Sequence, residues 1–153
     1  MSGPSIEPSG GGVGAFVNGV DLNEGLSANA VSTMREALGE YGVLFLREQT
    51  ITPEKHVAFA ELFSKIDINR FFTPVDGHPA IAEVCKEPDH NRNIGGFWHT
   101  DHTYDDEPAM GSILLAKEVP GSGGDTIFAN MYSAYDTLSE GLKETLGTMR
   151  AVH

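Results

Sequence analysis

Residues 27–46 leave few choices open. Ser27 can accept a hydrogen bond from the backbone just ahead of it and so start a helix. Val31, Met34, Leu38 and Tyr41 then recur at helical spacing on one face. Gly42 stands where helices commonly stop, because glycine takes the left-handed conformation there at little cost. Val43-Leu44-Phe45-Leu46 follows at once, a short continuous apolar run of the kind shown by a strand covered on both faces. The spacing predicts a helix that buries this stripe, then a strand at the centre of a sheet.

The flanks read more loosely. Residues 1–12 are rich in Ser, Gly and Pro and predict a flexible lead-in. Val13, Ala15, Val17 and Val20 give the broken alternation of a short strand. Thr52 as cap and Pro53 at the first helical position open a second helix, with His56, Phe59, Ala60 and Phe63 sharing a face through Ser64. Residues 67–93 carry Pro74, Gly77, Pro79 and Pro88 with little periodicity, and predict a loop-rich rim or lid with one strand at 81–84. Further on, 112–116 and 125–128 read as strands on either side of a turn at 121–124, able to pair antiparallel. Asn130 can cap a helix carrying Met131, Ala134, Tyr135 and Leu138 on one face, and Ser139 another that buries Leu142, Leu146 and Met149.

The chemistry concentrates in Gly95-Gly96-Phe97-Trp98-His99-Thr100-Asp101-His102. In extended backbone residues i and i+2 point to the same side, so one metal ion can touch both His99 and Asp101. Imidazole nitrogen with one carboxylate oxygen suits Fe(II), Mn(II) or Zn(II), and supplies two of the three ligands of the 2-His-1-carboxylate facial triad. A third ligand must come from elsewhere. The triplet alone also fits a surface loop with two solvated side chains. His102, next to Asp101, faces away and reads as a supporting or surface residue; His56 reads as a packed core histidine, His78 and His90 as solvated. Trp98 reads as packing beside the pair, and Asp105-Asp106-Glu107 as a solvated loop.

Composition excludes several partners. The 153 residues, 40% of them hydrophobic, suffice for one domain with a core. A net charge of −12 repels phosphate backbones and anionic lipid, which argues against nucleic acid and membrane. Cys85 is the single cysteine, so no internal disulfide can form, and a buried thiol in a cytoplasmic, reducing setting is expected. No basic leader followed by an apolar run appears, and no segment is apolar over a membrane-spanning length.

Trp98-His99-Thr100-Asp101 is followed by Tyr104, Pro108, Ser112-Ile113-Leu114, Val119-Pro120, Gly123-Gly124-Asp125-Thr126, Ala134-Tyr135, Leu138-Ser139 and Ala151-Val152-His153. In order and spacing this resembles the taurine dioxygenase family of Fe(II)- and 2-oxoglutarate-dependent oxygenases. Ile6, Pro8, Gly14-Ala15, Gly19-Val20-Asp21-Leu22, Leu44-Phe45-Leu46-Arg47 and Ile51-Thr52-Pro53 extend the resemblance to the family's N-terminal half. It implies an α+β fold, the N-terminal part of a double-stranded β-helix (jelly roll) with flanking helices and an incomplete barrel, so that 13–153 form a partial dioxygenase domain. His99 and Asp101 would be iron ligands, and Thr126 would help hold the distal carboxylate of 2-oxoglutarate.

The resemblance also implies a gap. Family members carry a second ligand histidine and a 2-oxoglutarate-binding arginine well downstream of the segment matched by 151–153. His153 and Arg150 match earlier positions and are not substitutes, so the chain is expected to be an N-terminal portion, inactive alone. The whole enzyme would use O2 and 2-oxoglutarate to hydroxylate a small organic substrate, releasing succinate and CO2. Asn69, Phe72, Gly95 and Gly96 stand where taurine-specific members place polar side chains, which points to another small organic acid, a sulfonate or a sulfate ester. Unpaired edges on 112–116 and 125–128 would favour oligomers. Two alternatives remain at this point: a non-catalytic truncated barrel acting as a binding or interaction module, and, with less support because no glutamate base is suitably spaced, a zinc hydrolase.

Overall fold

The computed structural model describes residues 3–91 and 93–152. His153 and the first two residues of the expected lead-in lie outside the described residues. In chain order the elements are β1 (Ser5–Pro8), β2 (Ala15–Asn18), α1 (Ala28–Tyr41), β3 (Leu44–Phe45), α2 (Pro53–Glu61), β4 (Pro74–Val75), β5 (His78–Ala82), α3 (Met131–Asp136) and α4 (Glu140–Gly147). They fall into two compact units, one of Met1–Gln49 with Leu115–Val152, the other of Thr50–Leu114. Mixed helices and strands with no closed barrel among the described residues make the chain α+β.

The first unit is built on α1. Ser27 accepts from the Ala30 amide at 3.2 Å, and Gly42, at φ +72°, donates its N–H to the Leu38 carbonyl at 2.8 Å. The chain then turns straight into β3, which lies parallel to β2 with Ala15 opposite Leu44 and Phe16 opposite Phe45. Parallel neighbours need a crossover, and α1 supplies it, packing on both strands. Its buried stripe is Ala30, Met34 and Ala37, rotated from the expected Val31, Met34, Leu38 and Tyr41. The small alanines let the helix approach the sheet, and the larger side chains flank the contact half-buried. Ala15, Val17 and Leu22 complete this core. On the other side of β2, Phe16 and Phe45 meet at 5.4 Å, with the Arg47 guanidinium over both rings. Gln49 ties the unit's loops: its amide nitrogen donates to the Val20 and Arg47 carbonyls and its oxygen accepts from Leu22 N, each at 3.0 Å.

Several sequence expectations fail here for physical reasons. Part of the lead-in is ordered, since Ser5–Pro8 pairs antiparallel with β2 as β1. β2 is therefore the central strand and β3, two residues long, an edge. Residues 112–116 and 125–128 are not strands: a ladder needs a hydrogen-bonded neighbour, and neither segment has one among the described residues. Asn130 and Ser139 cap α3 and α4 as expected, but Leu142, Leu146 and Met149 are exposed, not buried, because no described element covers that face.

In the second unit Thr52 caps α2, accepting from Lys55 N at 3.4 Å, and Pro53 opens it. Phe59 is buried and meets Phe63 edge-on at 5.2 Å; Ile51 is buried as well. α2 packs on β5, which pairs antiparallel with β4 around Asp76-Gly77, Gly77 taking φ +73°. The expected strand at 81–84 thus begins earlier, at His78, and ends at Ala82. His78 is half-buried with Nε2 3.5 Å from Glu54 Oε1, not solvated, and Cys85 is exposed, not buried. Among the described residues no helix is long and apolar enough to cross a membrane.

Candidate metal centre

The Thr50–Leu114 unit carries His99 and Asp101 in a segment that is neither helix nor strand. Their side-chain ends converge, with His99 Nε2 3.3 Å from Asp101 Oδ1, and both are open to solvent at 56% and 59% exposure. Each side chain is oriented by its other polar atom. His99 Nδ1 lies 2.7 Å from the Phe97 carbonyl, which can only accept, so Nδ1 carries the proton and donates. Nε2 is left with its lone pair toward Asp101. Ser112 Oγ donates to Asp101 Oδ2 at 3.1 Å, which leaves Oδ1 facing the imidazole.

Two lone-pair-bearing atoms held at this distance repel unless a positive charge lies between them. A proton on Nε2 would serve, and so would a cation. Two ligands each about 2.1 Å from one first-row ion and at right angles stand about 3 Å apart, close to the spacing seen. Donation of the remote ring nitrogen to a backbone carbonyl is also the support that metal-binding histidines use. The pair therefore fits a divalent ion. Among the described residues no third ligand group joins it.

Backbone freedom at Gly95 makes room for the ring. Gly95 sits at φ +65°, and a Cβ there would stand 3.2 Å from His99 Cε1. Gly95, Gly96, Phe97 and His99 line an open cavity of about 250 Å³. Gly95→Ala is expected to displace the imidazole and weaken Mn(II) binding about tenfold, the scale of losing a support to a ligand. Mn(II) titration followed by electron paramagnetic resonance, with circular dichroism to verify the fold, measures this.

Around the pair, expectations and structure part company. Trp98 is 71% exposed and does not pack. His102 is not in the extended backbone expected but at φ +56°, and it places Nδ1 3.0 Å from Asp105 Oδ2 and 3.4 Å from Asp67 Oδ2. Asp105 is half-buried, not a solvated loop residue, and is ion-paired with Arg70. The hydrogen bond from His102 does most to hold its carboxyl below the usual carboxylate range, and Arg70 adds to it, against the opposing effect of burial. Asp67, His102 and Asp105 offer ligand atoms within 4.8 Å of one another. Arg70 already supplies the cation there, so the group reads as an ion-paired network. His90 is exposed, its Nδ1 accepting from Glu87 N at 3.2 Å.

Thr126 belongs to the other unit, exposed and outside any helix or strand. The structure thus brings His99 and Asp101 together and leaves Thr126 to be judged otherwise. Sequence reasoning missed Ser112, Gly95 as the ring's neighbour, and Arg70. Only Gly95-Gly96 carried a signal, two glycines just before a candidate ligand.

Residues 5–153 match the family described as taurine catabolism dioxygenase TauD, TfdA family. The chain is 33% identical to an alpha-ketoglutarate-dependent sulfate ester dioxygenase of Pseudomonas putida over 97% of its own length and 48% of that protein. It is 35% identical to an alkylsulfatase of Acinetobacter baylyi over 94% of its length and 44% of that protein. Among solved structures, a taurine dioxygenase from Burkholderia xenovorans superposes with a TM-score of 0.84 at 35% identity, covering 99% of this chain and 54% of that one. The chain spans about half the length of the relatives it matches.

Proposed function

Since the chain belongs to the taurine catabolism dioxygenase TauD, TfdA family, we propose that it carries the iron-binding N-terminal part of an Fe(II)- and 2-oxoglutarate-dependent dioxygenase, with His99 and Asp101 as two of three protein ligands. The observation that carries this reading is the 3.3 Å approach of His99 Nε2 to Asp101 Oδ1, with the remote atom of each side chain tied back to Phe97 or Ser112. Bound iron would supply the activation of O2 that couples decarboxylation of 2-oxoglutarate to hydroxylation of a substrate carbon, giving succinate, CO2 and the alcohol.

The chain's own residues do the holding. The Phe97 carbonyl keeps His99 in the tautomer with a free Nε2, and Ser112 occupies Asp101 Oδ2, which would leave Oδ1 to the iron. Thr126 offers a hydroxyl to the distal carboxylate of 2-oxoglutarate, a role that rests on the family resemblance. The charge-assisted partner of that carboxylate and the third iron ligand belong to the downstream half that the relatives carry. Residues 13–153 are then the first part of a jelly-roll domain, and 112–116 and 125–128 find ladder partners in the remainder. The substrate is a small organic acid, sulfonate or sulfate ester, a class supported by the sulfate ester dioxygenase among the relatives. A single cysteine and a reduced iron fit a cytoplasmic setting.

A second reading, a non-catalytic binding module, is favoured by one observation: the pair has no third ligand among the described residues. Succinate release from 2-oxoglutarate with Fe(II), ascorbate and O2 separates the two. These 153 residues alone are expected to give none, and a chain extended through the downstream half to give O2-dependent release. Turnover by the 153 residues would show that another group completes the site. No turnover by an extended chain that binds Fe(II) would favour the module.

A further inference from the structure

The metal pair lies on an exposed segment without regular structure, yet the residue that follows it is firmly held. His102 adopts the left-handed conformation at φ +56°, which is uncommon and costs energy for a residue with a Cβ. Its side chain is 16% exposed, and Nδ1 faces both Asp105 and Asp67, so Nδ1 carries a proton to donate. Asp105 N–H donates to the His102 carbonyl at 3.0 Å and closes the turn. The other oxygen of Asp105 is ion-paired with Arg70. Rings reinforce the assembly: Tyr104 lies 5.8 Å from His102 and 6.2 Å from Phe71, and the Arg70 guanidinium sits over Phe71. Asn69 shapes the opposite segment, its Oδ1 accepting from Phe71 N at 2.8 Å and Phe72 N at 3.1 Å.

We propose that Asp105, anchored by Arg70, is a positioning residue for the metal pair: by holding the His102 ring it fixes the left-handed turn immediately after Asp101, and so the direction in which the Asp101 carboxylate points. This rests on the metal reading of His99 and Asp101. The geometry carries it because the His102 side chain, adjoining the pair, is met from two stretches of chain among the described residues, by Asp67 and by Asp105. Arg70 distinguishes such a brace from a second cation site, since a metal on Asp105 would have to displace or oppose the guanidinium already there.

The experiment compares wild type, Asp105→Ala, His102→Gly and the double variant by Mn(II) titration and by amide exchange over residues 101–105 in the metal-free chain. Asp105→Ala is expected to weaken Mn(II) binding about tenfold and to speed exchange of the residue 105 amide. Glycine takes the left-handed conformation without side-chain support, so adding His102→Gly is expected to restore affinity. A ligand role or general loss of structure would not give that rescue. Unchanged exchange and affinity in Asp105→Ala overturns the proposal, as does a double variant no better than the single one. Mn(II) binding that survives His99→Ala but is lost in Asp105→Ala also overturns it, placing the ion on the Asp67–His102–Asp105 group. If wild type binds no Mn(II), the metal reading fails by itself, and exchange decides the brace: faster at residue 105 in Asp105→Ala supports it, unchanged overturns it.

Discussion

His99→Ala is expected to lower Mn(II) or Fe(II) affinity by a hundredfold or more, beyond the roughly 10–100-fold typical of losing a supporting group. With no third ligand joining the pair among the described residues, removing the imidazole leaves a single exposed carboxylate. Asp101→Ala should do the same by leaving one imidazole. Titration with Mn(II), read by electron paramagnetic resonance, gives both values. Affinity within a factor of about three of wild type in either variant would contradict ligation by that residue.

Met34→Ala carries the largest expected cost to folding. Among the described residues Met34 is the one large side chain almost wholly removed from solvent, 1% exposed, in the stripe by which α1 packs on β2 and β3. Truncating a buried methionine to alanine costs about 2–5 kcal/mol through lost burial and the cavity left behind, against a total of about 5–15 kcal/mol for an ordinary domain. The first unit is expected to lose its cooperative transition or unfold at a much lower urea concentration. A midpoint shift equivalent to under about 1 kcal/mol would mean that α1 is not the element holding that sheet.

Local signals were legible wherever one residue type answers one local need. Ser27, Gly42, Thr52, Pro53, Asn130 and Ser139 each mark a helix end, and each sits there in the structure. The convergence of His99 and Asp101 was legible because the two lie only two residues apart, although the strand backbone expected to align them is absent from the segment. What failed depended on distant partners. Residues 112–116 have strand composition, but composition does not supply a neighbour. Residues 5–8 look like a tail until β2 is there to pair with Ser5, Ile6, Glu7 and Pro8. The β4–β5 hairpin was missed although Asp76-Gly77 is a strong turn dipeptide, because Pro74 and Pro79 argued against strands. Arg70 and Asp105 lie 35 residues apart, and no periodicity connects them.

Trp98 is the only tryptophan in the chain, it is largely exposed, and it adjoins His99. The protein therefore carries its own fluorophore beside the candidate metal pair, and excitation at the red edge of aromatic absorption selects it alone. A paramagnetic ion bound at His99 would be expected to quench the neighbouring indole. A protein surface laid over the same segment removes water from the ring and moves its emission to shorter wavelength. Intensity then reports the ion and colour reports the cover, two events read separately from one side chain without a label.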